Sequence, residues 1–311
     1  MNKWQRLFIN PLTEPFINSL RDSLISPLVF LALLGVSLNY SSAPSEALAD
    51  NQAKSQEQEL TVKSRFESKF TRRLRENFLA TKSDGCLILF DLKRQRYIRY
   101  NRQHCEQRFL PASTFKIFNS LVALQTGVIA NENVVFKWDG ITREFPLWNQ
   151  DQTLRTAFSR SVVWVYQDLA RRIGNERMAQ YIKAVGYGNG DISGGIDTFW
   201  LNGKLRIAPE EQIQFLVGLY QEELPFTVPV MRTVKEVMII ERTSEYTLRG
   251  KTGWGRNVDG AESVGWYVGY LEKSDDVYFY ALNLTTQEKD FDMISIRKKM
   301  LYDAFRDLSL L

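Results

Sequence analysis

The sequence predicts an α/β protein of two lobes: one antiparallel sheet built from N-terminal and C-terminal strands and flanked by helices, plus a mainly helical insertion. Strand patterns occur over residues 86–100 and again after residue 245, and helical patterns dominate residues 112–222 between them. The strands from both ends are therefore expected to meet in one sheet. The functional site is expected in the cleft between the two lobes, because ligand sites are concave.

The composition is that of an ordinary globular protein. Of 311 residues, 44% are hydrophobic and 24% are charged, which excludes a disordered chain and a polytopic membrane protein. The net charge of +4 is too weak, and the charges are too interspersed, to indicate nucleic-acid binding. The single histidine, His104, excludes a multi-histidine zinc site and leaves only one candidate for a Ser-His-Asp triad. We expect His104 near the surface beside Cys105, without a catalytic role.

Residues 1–49 have the pattern of an export signal. The apolar run at 24–38 has about 15 residues, which is short for a membrane span and typical of a signal peptide. An Ala-Leu-Ala sequence at 47–49 predicts cleavage before Asp50 and a periplasmic protein without stable membrane association. Because the basic region before the run is unusually long, either the start codon is assigned too early or the signal is atypical. An uncleaved anchor is the alternative.

Residues 50–80 are predicted to form a polar linker followed by a helix. The helix is indicated by an apolar stripe with a period of four, which we expect to dock on the core: Phe66, Phe70, Leu74 and Phe78.

A hairpin follows, with strands at Leu87–Phe90 and Tyr97–Tyr100. It folds Cys86 and Cys105 towards each other, which permits one disulfide in an oxidising compartment. Two free thiols are the alternative, since a bridge needs α-carbons about 4.4–6.8 Å apart.

The remaining elements follow from periodicity and glycine stops. The predicted helices are Thr114–Thr126, Ser161–Ile173, Glu176–Val185 and residues 292–307, and the predicted strands are Tyr246–Gly250, Val264–Leu271 and Val277–Leu284.

Ser113 and Lys116 form a Ser-x-x-Lys pair near a predicted helix start. Residues three apart on a helix share a face, so the lysine amine can reach the serine hydroxyl. A serine needs a base to become a nucleophile, and a desolvated lysine can be neutral and act as that base. A simple helix cap is the alternative role of Ser113. The second such pair, Ser295–Lys298, is given no function.

A second motif, Lys251-Thr252-Gly253, stands on a strand pattern, Tyr246–Lys251, that is followed by glycine. A strand edge there could present N–H groups to a carbonyl and an ammonium to an anion. An ordinary strand end with a glycine turn is the alternative, because a three-residue motif carries a real risk of chance occurrence.

Together, the two motifs resemble the signature of the penicillin-recognising serine enzymes. Among these, the sequence most resembles the class D β-lactamases, the oxacillinases. Over about residues 84–305, four stretches match in order, with further likeness at 136–140 and 192–201: Ser113–Lys116, Ser161–Val163, Tyr187–Asn189 and Lys251–Gly253. The resemblance implies a β-lactamase/transpeptidase-like catalytic domain over residues 81–311.

The resemblance also implies catalytic roles. Ser113 would be the acylated nucleophile, and Lys116, carbamylated by CO2 to N6-carboxylysine, would be the general base. Ser161 would pass a proton to the leaving nitrogen, with support from Lys251. The backbone N–H groups of Ser113 and Trp254 would form the oxyanion hole.

Binding roles are implied in the same way. Thr252 and Arg297 would bind the substrate carboxylate. An apolar wall would enclose the carbamate, with the indole N–H of Trp200 donating to it: Phe115, Val163, Trp200 and Leu201. CO2 or bicarbonate is required, no metal or organic cofactor is expected, and the partner is a small β-lactam.

Two other functions fit the same motifs. A β-lactam sensor domain or a cell-wall transpeptidase or carboxypeptidase would also be acylated, but would stay acylated. The single apolar run favours an enzyme over a membrane receptor. Monomer and homodimer are both compatible with the sequence, as are several substrate spectra, including carbapenems.

Overall fold

Within residues 69–255 and 262–311, which the computed structural model describes, one antiparallel sheet has the strand order β2-β1-β6-β5-β4-β3. The strands are β1 (Asp84–Asp91), β2 (Arg96–Tyr100), β3 (Ile239–Arg242), β4 (Tyr246–Gly255), β5 (Ser263–Lys273) and β6 (Asp276–Thr286). β1 pairs with β6 from Asp84↔Thr285 to Asp91↔Tyr278. The predicted sheet from both ends of the chain is therefore confirmed.

The helices lie mostly between β2 and β3. A helical segment covers residues 69–80, and the named helices are α1 (Arg102–Glu106), α2 (Lys116–Gln125), α3 (Leu154–Ser159), α4 (Val163–Ile173), α5 (Asn175–Val185), α6 (Pro209–Tyr220), α7 (Val228–Val237) and α8 (Met293–Asp307). Two 3-10 turns cover Ala112–Phe115 and Pro146–Trp148. None of the described helices is long and apolar enough to span a bilayer.

The helical segment 69–80 and α8 pack on the sheet through a shared apolar cluster. The predicted stripe supplies Phe70, Leu74 and Phe78, each at most 3% exposed. Burying such side chains contributes about 1.5–3 kcal/mol each, so this helix belongs to the core. Phe66, the linker and the predicted signal segment lie outside the described residues.

Several predicted boundaries are wrong by a few residues. The first helix of the insertion begins at Lys116 because Ala112–Phe115 form a tighter 3-10 turn. α4 begins at Val163 because Ser161 has a φ of 58° and cannot continue a right-handed helix. β4 continues to Gly255, which places Lys251-Thr252-Gly253 inside the strand rather than at its end.

Cys86 on β1 and Cys105 on α1 form a disulfide, with α-carbons 5.5 Å apart. The expectation that His104 lies near the surface is wrong, because α1 folds back onto the sheet and leaves His104 only 5% exposed. Its Nε2 lies 2.7 Å from Asn283 Oδ1, and its ring stacks on Phe109 with centroids 4.5 Å apart. His104 is thus a core residue that joins α1 to β6.

Candidate active site

Ser113 and Lys116 occupy the 3-10 turn and the first position of α2. The turn places Lys116 Nζ 2.8 Å from Ser113 Oγ, within hydrogen-bond distance. Ser113 keeps 9% of its surface exposed, whereas Lys116 is fully buried. The serine therefore keeps some exposed surface while the lysine has none, which suits a nucleophile with a buried base.

The surroundings of Lys116 are apolar and aromatic. Its Nζ lies 5.2 Å from the ring centre of Tyr166 on α4, and Phe115 precedes it in the chain with no exposed surface. Burial disfavours the charged amine and lowers the pKa of Lys116 to about 7. At neutral pH a large fraction of the amine is therefore uncharged and able to accept a proton.

Trp200 forms part of the wall beside this pair. It is fully buried and stacks on Phe115 with ring centroids 5.4 Å apart. Its indole nitrogen finds no hydrogen-bond partner among the described residues. Burying an unpaired N–H donor costs free energy. A further hydrogen-bond acceptor placed beside the Trp200 indole would remove that cost. Val163 and Leu201, the other predicted wall residues, are half-buried.

Lys251 and Thr252 lie where β4 has passed the end of β3. The two strands pair only as far as Ile239↔Arg249, so this stretch of β4 is not paired to β3. Both residues line a cavity of about 270 Å³ that Phe158 and Ile240 also line. Lys251 Nζ donates to the Thr252 carbonyl at 2.9 Å and lies 5.6 Å from the ring centre of Phe158.

Arg297 reaches this strand from α8. It is 7% exposed, and its Nη1 donates to the Gly253 carbonyl at 2.6 Å. Burial lowers the pKa of Arg297 to about 10, which leaves it charged at neutral pH. Burial, and then the charges of Lys116 and Arg297, lower the pKa of Lys251. Arg297 forms no ion pair with a carboxylate in residues 69–255 or 262–311, so its charge favours an anionic ligand.

Two predicted residues make no contact that would test their roles. Ser161 is half-buried between α3 and α4, and its hydroxyl makes no hydrogen bond to another described residue. The side chain of Trp254 packs against the cluster between sheet and helices, whereas the predicted role belongs to its backbone N–H. The proton-transfer role of Ser161 and the oxyanion role of the Trp254 N–H stay predictions.

Comparisons with known proteins fit this geometry. The family model of the penicillin-binding protein transpeptidase domain matches residues 46–306. The chain is 44% identical to β-lactamase OXA-48 of Klebsiella pneumoniae over 214 residues, which is 69% of this chain and 80% of the relative. It is 46% identical to the probable β-lactamase YbxI of Bacillus subtilis over 65% of this chain and 74% of the relative.

A solved class D β-lactamase from Nostoc matches with a TM-score of 0.72 and 46% identity, over 76% of this chain and 99% of that one. A class D enzyme from Sebaldella termitidis matches with a TM-score of 0.74 and 41% identity, over 77% and 96%. The chain belongs to the class D β-lactamases.

For this class D β-lactamase, the Tyr187-Gly188-Asn189 match has a structural explanation. Gly188 has a φ of 57°, and an added Cβ would lie 2.1 Å from the Arg206 carbonyl oxygen, so only glycine fits. Asn189 donates to the Lys204 carbonyl at 2.9 Å and accepts from the Arg206 N–H at 2.9 Å. The motif therefore ties the segment after α5 to residues 204–206, which follow the Trp200 region.

Sequence reasoning missed several residues of this β-lactamase site. Tyr166 and Phe158 face the two lysine amines, and Gln212 binds the turn that carries Ser113. In the sequence they look like ordinary core positions of helices. In the described residues, no group of three or more His, Cys, Asp and Glu side chains could hold a metal.

Proposed function

We propose that this protein hydrolyses β-lactam antibiotics through an acyl-enzyme on Ser113, with carbamylated Lys116 as the general base. The observation that carries the proposal is the buried Lys116 amine, 2.8 Å from the Ser113 hydroxyl and with a pKa lowered to about 7. CO2 adds only to a neutral amine, and the unpaired indole N–H of Trp200 suits the resulting oxygen.

A carbamate at this position supplies a carboxylate-like base beside the serine. Ser113 Oγ would pass its proton to the carbamate and bond to the β-lactam carbonyl carbon, and the ring C–N bond would break as its nitrogen takes up a proton through Ser161. A water would then give a proton to the carbamate and attack the ester carbon, and the ester C–O bond would break as the Ser113 oxygen takes that proton back. The backbone N–H groups of Ser113 and Trp254 would stabilise the oxyanion in both steps.

Substrate binding follows from the positive charge of Arg297 and the donors beside it. β-Lactams carry a carboxylate beside the reactive ring, which the Arg297 guanidinium would bind together with the Lys251 amine and the Thr252 hydroxyl. Because Arg297 has no carboxylate partner among the described residues, the substrate does not have to displace one. The free stretch of β4 leaves room for the rest of the substrate.

Turnover of a chromogenic cephalosporin by the purified protein tests the proposal. Continuous hydrolysis with many turnovers per molecule is expected. Colour release of one equivalent, followed by a stable adduct on Ser113, would instead indicate a sensor domain. Release of a terminal D-alanine from a stem-peptide mimic, without β-lactam turnover, would indicate a carboxypeptidase.

We further propose that the protein acts in the periplasm after removal of residues 1–49. The apolar run at 24–38 and the Ala-Leu-Ala sequence at 47–49 support this location, as does the Cys86–Cys105 disulfide, which persists in oxidising compartments. N-terminal sequencing of the exported protein should give Asp50. An intact segment 24–38 in the membrane fraction would overturn the proposal.

A further inference from the structure

A buried polar chain lies directly behind the turn that carries Ser113. Gln212 on α6 and Thr114 are both fully buried, and the amide nitrogen of Gln212 lies 2.9 Å from the Thr114 hydroxyl oxygen. Thr114 Oγ1 in turn donates to the Pro111 carbonyl at 2.7 Å. Because the single hydroxyl proton of Thr114 goes to Pro111, the hydroxyl must accept from Gln212, which fixes the orientation of both groups.

The Pro111 carbonyl also begins the turn itself, since it accepts from the Thr114 N–H at 3.1 Å. Between them, Ala112 has a φ of 48°, a left-handed conformation that is uncommon for alanine. Such a conformation persists only where the surroundings impose it. β4 packs closely against the same turn: a Cβ added to Gly253 would lie 3.1 Å from Pro111 O and 3.1 Å from Thr114 Cγ2.

The polar identity of Gln212 is not explained by packing. Its Oε1 is not in full hydrogen-bond geometry with any described residue, and neither is the Tyr187 hydroxyl, which interacts more weakly with the side chains of Thr114 and Gln212. Burying an amide with unused hydrogen-bonding capacity is costly, and an apolar side chain of the same size would avoid that cost. The hydrogen bond to Thr114 therefore explains why a polar glutamine occupies this buried position.

We propose that Gln212 is a positioning residue for the reaction. Acting through Thr114, it holds the turn so that Ser113 Oγ stays at Lys116 Nζ and the Ser113 N–H stays aimed at the developing oxyanion. The inference rests on the proposed role of Ser113 as nucleophile. Because the Gln212 amide bonds to Thr114, it should affect the rates of the chemical steps and not substrate affinity.

The test compares Gln212→Met, Thr114→Val, Thr114→Ser and the Gln212→Met/Thr114→Val double variant at saturating bicarbonate. Gln212→Met and Thr114→Val should each lower kcat and the rate of Ser113 acylation about ten- to hundredfold, with KM nearly unchanged. Thr114→Ser keeps the hydroxyl and should retain most activity. The double variant should lose no more than either single one, because the two residues act in one chain.

Gln152→Met is the matched control. Gln152 is also buried, but its amide donates to the Leu147 and Gln150 carbonyls. The Gln152→Met variant should have a lower free energy of unfolding and an unchanged kcat.

An unchanged kcat in folded Gln212→Met, or losses that multiply in the double variant, would overturn the inference. If Gln212→Met does not fold, the contrast between Thr114→Val and Thr114→Ser decides, and equal activity of those two would overturn it. A wild-type protein that is never acylated on Ser113 would instead overturn the proposed function.

Discussion

Lys116 Nζ lies 2.8 Å from Ser113 Oγ, one turn further along the chain, and no surface of the lysine reaches solvent. The pair thus joins a serine with some exposed surface to a fully buried amine, and burial disfavours the charged form of that amine. This relationship is the basis for proposing Ser113 as the nucleophile.

Ser113→Ala should abolish the mass increase that wild-type protein shows on incubation with penicillin. The Ser113 side chain accepts a hydrogen bond from Lys116 and caps no helix. The free energy of unfolding should therefore change by at most about 3 kcal/mol. Mass spectrometry and thermal unfolding measure the two effects. Ser295→Ala, in the exposed Ser295–Lys298 pair, should be acylated like the wild type, and an adduct on any residue in Ser113→Ala contradicts the assignment.

Turnover should depend on bicarbonate, most strongly at low pH. The pKa of Lys116 is lowered to about 7, so the amine is mostly neutral above that pH and mostly protonated below it. Only the neutral amine takes up CO2. In degassed buffer below pH 7 we expect a burst followed by stalling, with recovery on adding bicarbonate.

Lys116→Ala provides the control for this prediction, since it should be inactive at every bicarbonate concentration. With labelled CO2, the wild type should show a carbamate carbon signal that this variant lacks. Bicarbonate-independent turnover without such a signal would mean that Lys116 works as a free amine.

Trp200→Phe should raise the bicarbonate concentration needed for half-maximal activity. The substitution keeps an aromatic ring against Phe115 and removes the indole N–H, which has no other partner among the described residues. Losing one such hydrogen bond should weaken carbamylation about two- to twelvefold, equivalent to about 0.5–1.5 kcal/mol. Titration of activity with bicarbonate measures the shift. An unchanged titration curve would show that this N–H does not bind the carbamate.

Arg297→Ala should reduce kcat/KM for β-lactams about ten- to hundredfold, because a hydrogen bond to a charged group contributes about 1.5–3 kcal/mol. A β-lactam whose carboxylate is esterified provides the control. It should be a poor substrate for the wild type and should lose little further in Arg297→Ala. Equal losses for the acid and the ester would mean that Arg297 acts through the Gly253 carbonyl and not through substrate charge.

Replacing both Cys86 and Cys105 by alanine should lower the free energy of unfolding by about 2–4 kcal/mol. The bridge spans a sequence separation of 19 and ties α1 to β1, so it limits the freedom of the unfolded chain. Denaturant unfolding measures the loss, and reductant should have the same effect on the wild type. Because neither cysteine is part of the Ser113 turn, kcat at moderate temperature should stay close to wild type.

The sequence by itself determined the features that depend on nearby residues or on fixed motifs. The three-residue spacing of Ser113 and Lys116 put the amine within reach of the hydroxyl, and the period-four stripe from Phe70 to Phe78 predicted a docked helix. Local periodicity specifies the type of each element and the face that it buries. The order of these elements along the chain then predicted that strands from both ends form one sheet.

Only the tertiary structure decided the features that depend on segments far apart in the chain. His104 is buried because α1 folds onto β6, and Arg297 reaches Gly253 because α8 packs on β5, the strand next to β4. Gln212 meets Thr114 from another helix. The lowered pKa of Lys116 has the same origin. Desolvation depends on every group that surrounds the amine in space, and the side chains next to it in sequence supply only part of that enclosure.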